Sequence, residues 1–133
     1  MPTSSPFILA PASPGEVLDR LTILDLKLKA CTNDADRASI QYGIDALSTA
    51  WTKAIHTDPK THPNWTKLYA INAELWRIED DVRAYEQAAD FGPNFVACAR
   101  SVYKTNDRRA AQKRLIDDDL GSKLTDIKFH DPK

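Results

Sequence analysis

The chain has 133 residues, of which 42% are hydrophobic and 28% are charged, and its net charge at pH 7 is −1. This length fits one domain with its own core, and the composition excludes both a disordered chain and a coiled-coil rod. No apolar run approaches the roughly 20 residues that a membrane helix requires. We therefore expect a single domain over residues 1–133 that has no membrane partner.

The chain starts with the sequence MPTSSPFILAPASPGE, in which no basic residue precedes the short apolar stretch. A secretory signal needs such a basic region, so the sequence predicts a cytoplasmic protein. Residues 1–12 are expected to form an extended segment. The chain has two cysteines, Cys31 and Cys98. They form no CxxC pair, and we expect both to be reduced thiols.

The first helix is predicted over residues 14–30, because its start carries a complete capping box. Ser13 is the capping residue, Pro14 takes the first helical position, and Glu16 follows the cap by three residues. Its predicted core residues are Val17, Leu21, Leu24 and Leu28. A second helix is predicted over residues 35–55 from the helical spacing of Ile40, Ile44, Leu47, Trp51 and Ile55.

The third helix, predicted over residues 64–88, carries two stripes of side chains. One is an apolar core stripe of Leu68, Ile71, Leu75, Ile78, Val82 and Tyr85. The second repeats the same spacing with Asn72, Trp76, Glu79, Arg83 and Glu86. At about 100° per residue it lies roughly 90° round the helix, at the border of the core. The first helix repeats this arrangement with Glu16, Arg20, Ile23 and Lys27.

A turn at residues 90–93 precedes the last helical region, which is either one helix or two helices separated at Asn106. Gly121 is a natural C-terminal cap. The tail, residues 122–133, contains an alternating set of Leu124, Ile127 and Phe129, which would allow a short strand paired with residues 7–10. The predicted fold class is therefore all-α: a compact bundle of four or five helices, with a minor two-stranded pairing of the terminal segments as an option.

The charge is distributed unevenly along the chain. Residues 100–114 contain six basic residues and one acid, for a local net charge of +5, whereas the remainder carries −6. A local basic patch on an acidic protein favours a small anionic ligand or an acidic partner surface over duplex nucleic acid, which needs a broadly basic face.

The order of charges in this basic region is also unusual. If residues 107–120 form a separate helix, Arg108 and Arg109 lie at the positive end of its dipole and three aspartates, residues 117–119, lie at the negative end. Both placements are unfavourable, and broken local rules are typical of functional sites. The alternative interpretation is a solvated helix face.

These patterns favour a non-catalytic module that binds a small phosphorylated or otherwise anionic ligand, such as a nucleotide, a cyclic dinucleotide or a nucleotide-sugar. Arginine side chains suit phosphate, and tryptophan can stack on a base or a sugar. The alternative for the helix-three stripe is structural: Trp76 would border the core and Glu79 would pair with Arg83. The predicted ligand-binding residues are Arg20, Asn72, Trp76, Glu79, Arg83, Arg100, Tyr103, Asn106, Arg109 and Lys113.

Two other functions remain open. An all-α nucleotide pyrophosphohydrolase would need magnesium held by two pairs of carboxylates. Glu16 and Asp19 supply one pair, but no neighbouring second pair exists, so a cage would have to combine Glu16, Asp19, Glu79 and Glu86. The third function is a protein-interaction adaptor that uses the basic helix, and self-association into a homo-oligomer is equally open.

Three blocks of the sequence, SPGEVLDRLTILDLKL, INAELWRIEDDVRAYE and DFGPNFVACARSVYKTNDRRAAQKRLIDDDLGS, together resemble a family of small, mostly bacterial domains of unknown function. The family is sometimes found beside TPR repeats or glycosyltransferases. The likeness covers residues 13–128 apart from residues 33–63. The resemblance implies that the family pattern includes the positions of Glu16, Asp19, Arg20, Asn72, Trp76, Glu79, Arg83, Arg100, Tyr103, Asn106, Asp107, Arg109 and Lys113.

Overall fold

The computed structural model describes residues 6–127 and confirms the all-α class. Four α-helices form the bundle: α1 (Pro14–Ala30), α2 (Asp34–Ile55), α3 (Trp65–Gln87) and α4 (Pro93–Asp119), with a 3₁₀ turn (Pro59–Thr61) before α3. No strand occurs within residues 6–127, so the optional pairing of the terminal segments is not formed there. Phe129, which was part of that prediction, lies outside the described residues.

The local signals at the two ends of the fold act as the sequence predicts. The Ser13 hydroxyl accepts the Glu16 N–H at 3.2 Å, and Pro14 is the first residue of α1. At the end of α4, Gly121 has a left-handed φ of 67°. The N–H groups of Gly121 and Ser122 then donate to the carbonyls of Asp118 and Asp117 at 3.2 and 2.8 Å, so the last carbonyls of the helix are satisfied.

The last helical region is one continuous helix, and this overturns the expectation that its charges oppose the helix dipole at both ends. Because α4 begins at Pro93, Arg108 and Arg109 lie near its middle, far from the positive end of the dipole. The aspartates at residues 117–119 do lie at the negative end. Asp117 has a different partner, the amino end of α1.

The central element of the bundle is α1, which packs against α2, α3 and α4. The buried core cluster consists of Leu18, Trp51, Leu68 and Ile116, so each of the four helices contributes one residue. Leu21 is buried as the sequence predicts, but the fully buried Leu18 was not in the predicted core stripe. A single-stripe prediction assumes one buried face, whereas α1 has neighbours on three sides.

The amino end of α1 is held against the carboxyl end of α4. The Gly15 N–H donates to Asp117 Oδ1 at 2.7 Å, and the Thr125 hydroxyl donates to Asp117 Oδ2 at 2.9 Å. Asp117 is only 1% exposed. A carboxylate at a helix amino terminus satisfies an otherwise unpaired N–H and interacts favourably with the dipole, so Asp117 stabilises α1 at the same time as it fixes the tail.

Burial decreases along α3 toward the turn that joins it to α4. Leu68, Ile71 and Leu75 of the predicted core stripe are buried, whereas Val82 and Tyr85 are only partly buried.

None of the helices in the described part of the chain combines the length and the apolar character that crossing a bilayer requires.

We predict that Gly15→Ala destabilises the protein by at least about 2 kcal/mol, because a Cβ at this position would lie 2.3 Å from the Lys113 carbonyl oxygen and 2.9 Å from Asp117 Oδ1. The first contact is with backbone, which cannot move aside without separating α1 from α4. Urea unfolding monitored by circular dichroism measures the loss.

Gly43→Ala is the matched control. The Cβ of the new alanine would meet only the side chain of Leu24, at 3.3 Å. In a helix interior, alanine is more stabilising than glycine by up to about 1 kcal/mol. We expect the Gly43 variant to be as stable as the wild type or more so. A Gly15→Ala protein with wild-type stability would contradict the close packing of the two helix ends.

Candidate functional site

A buried ion pair joins α1 to α4 in the middle of the bundle. Asp19 is fully buried, and Arg109 donates to it from Nε to Oδ1 at 2.9 Å and from Nη2 to Oδ2 at 2.5 Å. Two parallel bonds of this kind are the strongest geometry for an arginine and a carboxylate. The hydrogen bond with Asp19 raises the pKa of Arg109 above its ordinary value, aided by the negative charges of Asp19, Glu16 and Glu79.

Asn72 of α3 completes this network. Its side-chain Nδ2 donates to Asp19 Oδ1 and to the Thr22 hydroxyl, each at 2.9 Å, and the Thr22 hydroxyl donates to the Asp19 carbonyl at 2.7 Å. Every buried side-chain nitrogen and oxygen in the described residues has a hydrogen-bond partner. Asp19, Thr22, Asn72 and Arg109, which we call the buried polar network, therefore link three helices and satisfy one another.

A second ion pair lies one helical turn away, toward the tail. Lys113 donates to Glu16 Oε2 at 2.7 Å, Arg20 donates to Glu16 Oε1 at 3.1 Å, and Lys113 Nζ is 3.9 Å from the carboxylate of Asp126. The hydrogen bond from Lys113 is the main reason why the pKa of Glu16 is lowered, although burial opposes the effect. The charges of Arg20 and Lys113 are thus already compensated within the protein.

Next to the buried polar network, residues of α1 and α3, together with Arg109 of α4, line an open recess of about 460 Å³, the central recess. Its apolar walls are Ile23, Leu26, Leu75 and Trp76, and its charged residues are Lys27, Glu79, Asp80, Arg83 and Arg109, with Asn72 at its edge. This volume falls within the range of roughly 300–1,000 Å³ that is typical of small-molecule sites, as does the combination of apolar walls with a few polar groups.

Not every charged side chain of the central recess has a partner: Arg109 binds Asp19, but other charged side chains there are unpaired. Glu79 and Arg83, which the structural interpretation of the stripe would pair, form no ion pair in the structure. Within residues 6–127, the side chains of Lys27 and Arg83 make neither a hydrogen bond nor a salt bridge. Two cations and an indole ring therefore border the same recess and are available to a ligand.

The structure brings together half of the predicted ligand-binding residues. Asn72 and Arg109 border the recess, but their polar atoms already bind Asp19, so they act mainly as its supporting wall. Trp76, Glu79 and Arg83 remain as candidate direct contacts. The members of the predicted set that line the central recess are Asn72, Trp76, Glu79, Arg83 and Arg109.

The other predicted residues lie elsewhere on the molecule. Asn106 and Lys113 line a smaller recess of about 240 Å³, beside Arg109 and the tail residue Asp126. Arg20 is exposed and paired with Glu16, while Arg100 and Tyr103 are exposed on α4 and do not line the central recess. Arg100 is a predicted ligand-binding residue, but it does not line the central recess, to which α4 contributes only Arg109.

The carboxylate cage of the hydrolase alternative is not formed. Among the described residues, no three acidic, histidine or cysteine side chains come close enough to hold a metal ion. Two of the four candidate carboxylates already bind basic side chains: Asp19 binds Arg109, and Glu16 binds Lys113. Glu79 lines the central recess, whereas Glu86 does not.

The structure adds residues to the site that the sequence did not mark as ligand contacts. Ile23 and Lys27 belong to the second stripe of α1, so the same spacing that marked α3 could have identified them. Leu26 and Asp80 belong to neither stripe. Whether they reach the recess depends on how α1 and α3 pack together, and spacing along a single helix contains no information about that packing.

Comparisons with known protein families, with curated proteins and with solved structures find no match for this chain. The resemblance of its three sequence blocks to a family of small bacterial domains therefore stays a prediction. The geometry of the central recess and the network behind it carry the functional argument.

We predict that Asp19→Asn lowers the free energy of unfolding by about 3 kcal/mol, since it leaves the guanidinium of Arg109 without its counter-ion. This is the low end of the range for a buried pair, because the Arg109 side chain is 28% exposed. Urea unfolding at neutral pH measures the change.

The control is Arg108→Ala, which removes an exposed ion pair with Glu74 and should cost less than about 1 kcal/mol. Equal losses for the two variants would show that burial of the Asp19 pair contributes nothing special to stability.

We predict that Glu16→Gln makes the protein less sensitive to acid. The pKa of Glu16 in the folded protein lies below its ordinary value of 4.5. Its stabilising contribution is therefore present above that value and is lost as the pH falls through the lowered pKa. Because 34% of the side chain is exposed, the contribution should be below about 1 kcal/mol. Unfolding free energies from about pH 6 to about pH 3 should fall more for the wild type than for the variant; parallel curves would refute the assignment.

Proposed function

We propose that the protein is a non-catalytic module that binds a small anionic ligand with a flat ring in the central recess. The observation that carries this proposal is the position of Trp76 and Arg83 in the same recess, with the guanidinium of Arg83 unpaired in the described part of the chain. An aromatic ring and an uncompensated arginine about two helical turns apart suit a ligand that joins a ring to a phosphate or carboxylate.

Arg83 of α3 and Lys27 of α1 would both contact the anionic group, since both line the recess. Arginine forms two directed bonds to a phosphate or carboxylate, whereas lysine supplies a point charge on a flexible stem. The ring would lie against Trp76 and the apolar side chains of Ile23 and Leu26.

The charge balance of the recess limits the class of ligand. Arg109 is neutralised by Asp19, so the two available cations face two carboxylates, Glu79 and Asp80. A ligand with three or four negative charges would be repelled by these acids. The recess therefore favours one or two negative charges together with amino or hydroxyl donors, as in a nucleoside monophosphate, a cyclic dinucleotide or a nucleotide-sugar.

The buried polar network supports binding because it fixes the recess before any ligand arrives. Asn72 and Arg109 are held in place by Asp19, which is itself fully buried. A wall whose side chains are already ordered loses little conformational entropy on binding. The network thus has a structural role at the back of the site, and the side chains that contact the ligand belong to the outer part of the recess.

The adaptor alternative would use a different surface. Arg100, Lys104, Arg108 and Arg114 are exposed and share one face of α4, which is a basic stripe separate from the central recess. Arg109 is not available to such a partner, because its guanidinium binds Asp19. This function stays a prediction.

We predict that Arg83→Ala weakens ligand binding about tenfold to hundredfold, which corresponds to the loss of one or two hydrogen bonds to a charged group. Isothermal titration calorimetry against AMP, GMP, CMP and UMP measures the affinities. Arg77→Ala is the matched control, because Arg77 is an exposed arginine of the same helix that does not line the recess.

Binding that depends on Arg83 but not on Arg77 would support the proposal. If none of the four nucleotides, UDP-glucose or cyclic di-GMP binds at millimolar concentration, or if both arginine variants bind like the wild type, the proposed function is wrong. Thermal unfolding of each variant verifies that the fold is retained.

A further inference from the structure

A second recess adjoins the central recess at Trp76 and Lys27. It has a volume of about 420 Å³ and lies between the carboxyl end of α1 and the start of α2. Trp76 and Lys27 line both recesses, so these two side chains form the boundary between them. We call the second one the outer recess; its other walls come from Ala30, Cys31, Asp36, Ser39 and Ile40.

The two recesses differ in chemical character. The central recess carries Arg83 and two carboxylates, whereas the outer recess has a single acid, Asp36, and otherwise small or apolar side chains. Each has room for about one ring system with its substituents. The outer recess suits an uncharged ring or sugar, since apart from Lys27 at the boundary it offers no cation to an anionic group.

Lys27 has a special position in this arrangement. It is the cation that the recesses share, and its ammonium group makes no hydrogen bond or ion pair with the residues that the structure describes. A negative group that contacts Lys27 would therefore sit where the two recesses meet. The aromatic side chain of Trp76 at the same boundary offers a surface to a ring on at least one side.

We propose that the two recesses together bind one two-part ligand, a small molecule in which a phosphodiester or pyrophosphate bridge joins two ring systems. Lys27 and Arg83 bind the bridge, as in the proposed function, while one ring contacts Trp76 in the central recess and the second ring or sugar occupies the outer recess. This inference rests on the proposed function of the central recess and specifies its ligand class, which includes dinucleotides and nucleotide-sugars.

Joining two ring systems increases affinity because the second contact forms within a complex that already exists. Such linkage raises affinity by factors from about a hundred upward when the geometry permits both contacts, and by less when one recess is shallow. We therefore expect UDP-glucose to bind at least about tenfold more tightly than UMP, or cyclic di-GMP more tightly than GMP by the same factor. The pair that shows the gain identifies whether a sugar or a second base fills the outer recess.

The decisive variant is Ser39→Trp, which fills the outer recess from the exposed surface of α2 without touching the core. It should lower the affinity for the two-part ligand to that of the one-part ligand and leave UMP and GMP binding unchanged. Gln41→Trp is the matched control, since Gln41 is exposed on the same helix and does not line the outer recess.

Alkylation of the two free cysteines provides an independent measurement. Cys31 lines the outer recess, whereas Cys98 lies on α4 and lines neither recess, and both thiols are partly buried. The two-part ligand should slow the reaction of Cys31 with iodoacetamide, followed by peptide mass spectrometry, and should leave Cys98 unchanged. UMP and GMP should protect neither cysteine.

The outcomes separate this inference from the proposed function. If UMP or GMP binding depends on Arg83 but the two-part ligands show no gain and no Cys31 protection, the two-part ligand is refuted and the proposed function survives. If the gain persists in Ser39→Trp, the outer recess is not the second subsite. If neither class of ligand binds, both proposals fail.

Discussion

The ion pair between Asp19 and Arg109 is the interaction on which the rest of this structure depends. A fully buried carboxylate is expensive unless it is paired and hydrogen-bonded, and here two bonds from arginine and one from Asn72 compensate the cost. The pair joins α1 to α4, and the hydrogen bond from Asn72 adds α3, so the buried polar network forms only when all three helices are docked.

The polar residues considered as ligand contacts fall into two groups with different roles. Asn72, Arg109 and Lys113 are engaged in internal contacts and hold the helices in register. Lys27 and Arg83 have no such partner in the described residues and border an open recess. A polar stripe beside the core stripe of a helix therefore does not by itself mark a ligand site. In α3, Asn72 of this stripe supports the fold, whereas Trp76 and Arg83 are candidate ligand contacts.

Close backbone approach reinforces this geometry at the other end of α1. Gly15 allows α1 to touch the backbone of α4, and the carboxylate of Asp117 accepts its N–H there. Asp117 thereby accepts an otherwise unpaired N–H of α1. Its negative charge lies at the negative end of the α4 dipole, which is unfavourable, and the contact with the amino end of α1 offsets this cost. Contacts at Gly15 and at Asp19, one turn apart, fix the position of α1 and with it the walls of both recesses.

Local features of the sequence determined the helices, because capping residues, prolines and apolar spacing act within a few residues: the capping box at Ser13, the Gly121 cap and the predicted helix boundaries agree with the structure to within about two residues. The polar stripe containing Trp76 and Arg83 was also visible. Only the tertiary structure decided that Arg109 binds Asp19, that Arg100 lies apart from the recess and that Lys27 borders it. The physical reason is that packing among the helices sets their crossing angles and their long-range pairings. Asp19 and Arg109, for example, are 90 residues apart in the chain, and the residue spacing within a single helix does not reveal such a pairing.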